Sequence, residues 1–187
     1  MRRKDDEKQK NIKEAVIKLI LKEGFHGTSI SKIAKEAGVS PATVYIYYDS
    51  KDDMLQDIYR EYSEEVYDYL LSSINEKMDG QKIIDVFIRS YYLYIKENEE
   101  IFYFVDQFSS CPALSNNCSE KNGIKDLYSF FDSMKARKVF KDYRNENIAA
   151  TLFSPVKTIS MNKCRNEKEI ESLLEELINI IKEALLK

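Results

Sequence analysis

The sequence is poor in the residues that interrupt helices: five Gly and three Pro among 187 residues. Almost no segment alternates apolar and polar residues as a strand does, so long helices joined by short loops, an all-α fold, are expected. No run of about 18 apolar residues occurs, which excludes a membrane-spanning helix. Residues 1–7 are mostly charged and lack the apolar stretch of a secretory signal, so a cytoplasmic location is expected. Histidine occurs once, as His26. A lone imidazole makes neither a metal site nor an acid–base catalyst, and His26 reads as a turn residue. Three cysteines, Cys111, Cys118 and Cys164, without CxxC spacing supply neither a disulfide framework nor a zinc site. They read as free, partly buried thiols, with a redox sensor as the alternative. A Gly-rich phosphate loop and a nucleophile elbow are also missing. The paired acids Glu99-Glu100 and Glu175-Glu176 are adjacent on helices and splay apart, so neither an enzyme nor a cofactor is expected.

Net charge is −3, which speaks against a nucleic-acid partner until its distribution is read. Residues 1–51 hold eleven Lys and Arg against seven Asp and Glu; residues 52–187 hold eighteen against twenty-five. Phosphate attraction is felt over a Debye length of roughly 8–10 Å, so local charge outweighs the sum. A basic head on an acidic body suits DNA at one end.

Within the head, Ile12, Ala15, Val16, Leu19 and Ile20 recur at the spacing of one buried helix face. A first helix over about 8–23 is predicted, stopped by Gly24. A second follows the potential caps Thr28 and Ser29, with Ile30, Ile33, Ala34 and Ala37 on one face and Gly38 at its end. Ser40 can cap a third helix and Pro41 suits its first position. Two short helices joined by Gly38-Val39-Ser40 have the form of a helix-turn-helix, with an ordinary helical corner as the competing reading. The third helix opens on small or polar residues, Ser40, Ala42 and Thr43, so its backbone can approach base edges. Tyr45 and Tyr47 carry hydroxyls for phosphates, Lys51 adds a charge, and Val44 and Tyr48 are expected to face the core.

Residues 11–55 together resemble the N-terminal domain of the TetR family of bacterial regulators. The likeness is carried by Gly24-Phe25-His26-Gly27-Thr28-Ser29-Ile30, Ile33-Ala34, Ala37-Gly38-Val39-Ser40, Thr43 through Tyr48, Ser50-Lys51 and Met54-Leu55. It implies a three-helix DNA-binding head over residues 1–51 and an effector-binding and dimerisation body over 52–187. It also implies a homodimer on a palindromic double-stranded operator, acting as a repressor that a small ligand releases. By the same likeness Thr28 and Ser29 touch phosphate, Ser31 reaches a base, and Ser40, Pro41, Ala42 and Thr43 open the recognition helix. Tyr45 and Tyr47 take phosphate- and base-contacting positions, and Lys51 matches a phosphate-binding lysine. Tyr48 stands where phenylalanine is usual.

In the body, Ser50 and Asp53 resemble a capping box for a helix reaching about residue 78. Further helices are predicted over 81–97, 99–108, 122–138, 145–163 and 167–186, with Cys111-Pro112 ending the second of these and Ser115-Asn116-Asn117 as a loop. Eighteen of the twenty-two Tyr and Phe residues follow Lys51. Tyr62, Phe87, Tyr91, Tyr94, Phe102, Tyr103, Phe130 and Phe131 with Asp106 are read as lining a pocket for a small hydrophobic or aromatic effector, cationic if Asp106 and Glu99 face it. Simple core packing is the alternative. The apolar stripes of the last two helices, Leu152, Val156 and Ile159, then Leu174, Leu177, Ile178 and Ile181, serve either as internal core or as a dimer seam. The family likeness favours the seam.

Overall fold

The computed structural model describes residues 2–75, 77–109 and 122–187. Helix α1 spans Arg2–Gly27, with its regular turns broken at Gly24, whose φ of +73° suits a residue without a side chain. It opens six residues before the predicted start. Residues 2–10 have no stripe, but Arg, Lys, Glu and Gln are good helix formers, and Asp5 complements the positive helix end. Then follow α2 (Ile30–Glu36), α3 (Pro41–Tyr47), α4 (Lys51–Ser72), α5 (Gly80–Glu97), α6 (Glu99–Ser109), α7 (Asn122–Ala136), α8 (Asn145–Ser160) and α9 (Glu167–Leu185). The only extended pairing among the described residues is one antiparallel bridge, Phe140 with Leu186, and the fold is all-α.

Helix α8 ends at Ser160 rather than 163, and two other helices, α4 and α7, stop short of the prediction for local reasons. After Ser72 the Ser72 and Ser73 hydroxyls donate to the Tyr69 carbonyl, and the Asn75 side chain accepts from the Lys77 amide. These three bonds compete with the helical ladder at its end. Helix α7 stops because Lys138 adopts a left-handed conformation, φ 59°. The Val139 amide then reaches back to the Met134 carbonyl and the Lys138 amide to Lys135, the closing bonds of a Schellman end. Gly38 closes α2 the same way, through Val39 to Ala34 and Gly38 to Lys35. At Ser50 the Oγ accepts from the Asp53 amide, but the Asp53 carboxylate accepts from Asp49 instead of completing the predicted box. A full capping box does form at Asn166 with Glu169. The predicted helix end at Cys111-Pro112 and loop at Ser115-Asn116-Asn117 lie outside the described residues, as does Cys118.

Backbone contacts divide the described chain into two compact units. One holds the residues up to Ser63 together with 100–109; the other holds Glu64–Glu99 and 122–187. In the first, Ile12, Val16 and Ile20 of α1 meet Ile33 and Ala34 of α2, Val44 and Tyr48 of α3, Met54 and Ile58 of α4, and Phe104 of α6. Each side chain of this size buried from water contributes about 1.5–3 kcal/mol. In the second, α5 packs on α8 and α9, and α7 on α8.

This second core corrects the dimer seam read from the sequence. Leu152, Val156, Ile159, Leu174, Ile178 and Ile181 are buried within the single chain, and Leu177 is half-buried. The stripe is internal, because α5 presents Ile83, Ile84, Phe87 and Ile88 to be covered. No helix among the described residues is long and apolar enough to cross a membrane.

Candidate nucleic-acid interface

The α2–α3 corner is built by two serine caps. Ser29 Oγ accepts from the Lys32 amide at 3.3 Å and Ser40 Oγ from the Thr43 amide at 3.1 Å. Each such cap stabilises a helix start by about 1 kcal/mol. Val39 packs against the core between the two helices. Pro41 takes the first turn of α3, where a missing N–H costs nothing. Two positions of α3 are turned inward, Val44 at 0% and Tyr48 at 4% exposure, which fixes the helix's rotation. That rotation leaves Pro41, Ala42, Tyr45 and Ile46 exposed, with Thr43 half-buried beneath its hydroxyl contact to Ser40. Ser29 and Ser31 are exposed at the start of α2.

Three of the expected contacts are committed within the protein. Thr28 is buried at 2% exposure and its hydroxyl donates to the Gly24 carbonyl at 2.9 Å, so it closes the α1–α2 turn rather than reaching phosphate. Lys51 Nζ donates to the carbonyls of Phe25 at 2.8 Å and Thr28 at 3.0 Å, and lies 3.9 Å from the centre of the Phe25 ring. It ties the start of α4 to that same turn. The Tyr47 hydroxyl donates towards the carbonyl and carboxylate of Asp5, at 3.3 and 3.4 Å. Desolvation and the acids Asp5 and Asp6 push its phenol above the ordinary range. Ile46 was not among the residues singled out from sequence. An apolar side chain between two tyrosines reads as core, and only the rotation set by Val44 and Tyr48 exposes it.

The basic surplus of the head is partly answered from inside. Lys13 pairs with Glu61, Lys18 with Glu36 and Lys32 with Glu23. The hydrogen bond from Lys32 holds the Glu23 carboxyl below its ordinary range, and that from Lys18 does the same for Glu36. Lys22 and Lys35 remain exposed.

The nine residues read as an effector pocket are divided between the two units, five of them in the second. Phe87 and Phe131 are fully buried. Phe87 meets Phe130, Phe131 and Phe153 edge-on, with centroids 5.7–6.3 Å apart, and so fills the second unit's interior instead of lining a space. Tyr91, 5.0 Å from Phe153, and Phe130 are half-buried at the edge of this cluster. Tyr94 is buried beside Tyr69. Tyr62, Phe102, Tyr103 and Asp106 belong to the first unit. A cleft of about 240 Å³ does open on the second unit, but it is charged and lined by Asp85, Arg89, Glu175, Ile178, Asn179 and Lys182. Arg89 bonds Asp85 at 3.0 Å and Glu171 at 2.6 Å there. Burial raises the Asp85 carboxyl, yet its bonds from Lys82 and Arg89 prevail and hold it low. His26 is exposed with its ring edge-on to Phe25. Cys164 is exposed rather than partly buried, because the α8–α9 connection carries no apolar cover.

Comparison with known proteins agrees with this corner. The family model for bacterial regulatory proteins of the tetR family matches residues 12–58, from the α1 stripe to the buried Ile58 of α4. The fatty acid metabolism regulator protein of Bacillus subtilis is 29% identical over 85 residues, 46% of this chain and 44% of that protein, so less than half of that curated relative is spanned. A TetR family transcription regulator from Marinobacter aquaeolei, 25% identical, superposes over 100% of both chains with a TM-score of 0.78. The regulator FadR of Bacillus subtilis, solved with stearoyl-CoA, is 20% identical and gives 0.71 over 91% of this chain and 96% of that one. With the helix-turn-helix corner in place, residues 12–58 form a DNA-binding segment of the tetR family of bacterial regulatory proteins, and the fold is shared from end to end with solved TetR family regulators.

Proposed function

We propose that the chain is a sequence-specific transcriptional regulator that holds a palindromic operator as a homodimer and is released by a small hydrophobic effector. The observation that carries this reading is the outward face of α3, which opens at a capped Ser40 and offers Ala42, Tyr45 and Ile46 to a major groove. In this reading residues 1–51 read DNA, and residues 52–187 bind the effector and dimerise. Ser29, Ser31 and Tyr45 hold phosphate or base, while Thr28 and Lys51 set the turn behind them.

The two-fold seam falls on the part of α9 that the core does not use. Leu173, Leu177 and Ile180 are spaced four and three residues apart. The first two are half-buried and Ile180 is 56% exposed. Such spacing is the seam pattern of paired helices. For the effector, Tyr91 and Phe130 supply a half-buried aromatic edge. Glu99, which would have favoured a cation, already pairs with Lys163. That supports an apolar acyl chain over a lipophilic cation, and the stearoyl part of the stearoyl-CoA held by the Bacillus subtilis neighbour is such a chain.

The test is selection from a random duplex pool by the full chain, followed by binding titrations. Tyr45→Ala is expected to weaken the selected duplex at least ten-fold with an unchanged circular dichroism spectrum. Stearoyl-CoA is expected to release the duplex where a lipophilic cation does not. Failure to enrich any sequence would sink the DNA reading; release by the cation alone would sink only the effector class.

A further inference from the structure

We propose that Ile46 is a specificity-determining residue that reads the C5-methyl group of a thymine in each operator half-site. This rests on the DNA-binding reading above and adds what the interface recognises. At 77% exposure Ile46 is the most exposed large apolar side chain among the described residues. Its rotation is imposed, since Val44 and Tyr48 on either side of it along the helix are locked in the core. It shares the outward face with Ala42, one helical turn before it, and with Tyr45. Neither the Ile46 nor the Ala42 side chain has a hydrogen-bonding group, so neither side chain can bond a phosphate or follow the donor and acceptor pattern of base edges. The one apolar feature that base pairs present in the major groove is the thymine methyl. An aliphatic side chain on the exposed face of a groove-reading helix fits that feature and no other on the duplex. Tyr45 beside it can supply the polar contact.

Replacing thymine by uracil removes the methyl and leaves every hydrogen-bonding group in place, which makes the inference separable from all polar recognition. Affinities are measured for the selected duplex and for duplexes with each thymine in turn changed to uracil, using the natural chain, Ile46→Ala and Ile46→Val. One thymine per half-site is expected at which uracil weakens the natural chain about four-fold, the worth of one buried methyl. The same change should have no effect on Ile46→Ala and an intermediate one on Ile46→Val. The slope of affinity against salt should be equal for all three, since no phosphate contact changes. Equal uracil effects in the natural chain and Ile46→Ala would overturn the assignment, as would the absence of any sensitive thymine. Unchanged DNA affinity with an altered oligomeric state in Ile46→Ala would assign the side chain to a protein contact instead, and also overturn it. If the pool yields no preferred sequence, the DNA reading itself fails and this inference with it.

Discussion

Single side chains decide much of what this head can do, and Tyr48 shows how. The ring completes the core beneath α3 at 4% exposure, but its hydroxyl is buried with no partner in hydrogen-bonding geometry. Burial pushes the phenol up to about 12; Gln9 offsets a part, and Glu61, Asp57 and Asp53 add to the rise. A buried, unanswered hydroxyl costs of the order of 1–3 kcal/mol. Tyr48→Phe keeps the ring and is expected to stabilise the fold by about 1 kcal/mol in urea titrations. The pH dependence follows from the sign of the shift. An unfolded phenol ionises near 10 and the folded one near 12, so the natural chain holds its stability below pH 10 and loses it between 10 and 12. The advantage of Tyr48→Phe should therefore stay constant up to pH 10 and widen above it. Lys138 is the second case. A left-handed lysine costs about 1–2 kcal/mol, which glycine avoids at some cost in unfolded-chain freedom. Lys138→Gly is expected to raise stability by up to about 1 kcal/mol, measured by the same titration. Sequence could not reveal this stop, since the usual glycine signal is absent there, whereas Gly24 and Gly38 announced theirs.

At the scale of elements, caps, stripes and the inward side of α3 were legible, and the partners that cover the longer stripes were not. Ser29, Ser40 and the α1 stripe stand where the sequence put them, because capping and amphipathic period are local properties. Which faces of a helix become core depends on partners far along the chain. That is why the stripe of α9 read as a seam, with internal core as the alternative. Lys51 belongs to the same class of miss. Family likeness made it a phosphate ligand, but its ammonium is spent on the Phe25 and Thr28 carbonyls at the end of α1. It thus links the first turn of α4 to the turn that launches α2, and through α2 to the reading helix. Lys51→Met is expected to lower DNA affinity and cost about 1–2 kcal/mol of stability, since two carbonyls lose a charged donor. The slope of log affinity against log salt should stay nearly the same. A slope reduced by about one would restore the direct phosphate contact.

For the whole molecule, the proposed operator reading needs two copies of α3, because a helix of seven residues spans only a few base pairs, so assembly and recognition are one problem. A two-fold dimer would place two reading helices about one DNA turn, roughly 34–36 Å, apart, and bind a palindrome with both. The side chains that hold the pair must be distinct from those that hold each chain, and α9 separates them by a single residue step. Leu174, Ile178 and Ile181 point into the second unit's core; Leu173, Leu177 and Ile180 do not. The two sets therefore predict opposite phenotypes. Leu174→Ala should cost about 2–5 kcal/mol of stability, the price of a core cavity, with assembly lost only where folding is lost. Ile180→Glu sits on an exposed site, so its melting and helical content should match the natural chain once both are monomeric. At the seam, however, it would bring two carboxylates face to face in a desolvated contact, which costs several kcal/mol. Sedimentation velocity should show Ile180→Glu as a folded monomer. Its affinity for the palindrome should fall to that for a single half-site, because the second head no longer binds from an already tethered position. An Ile180→Glu chain that still sediments as a dimer would move the seam elsewhere on the molecule and leave this face of α9 without an assigned partner.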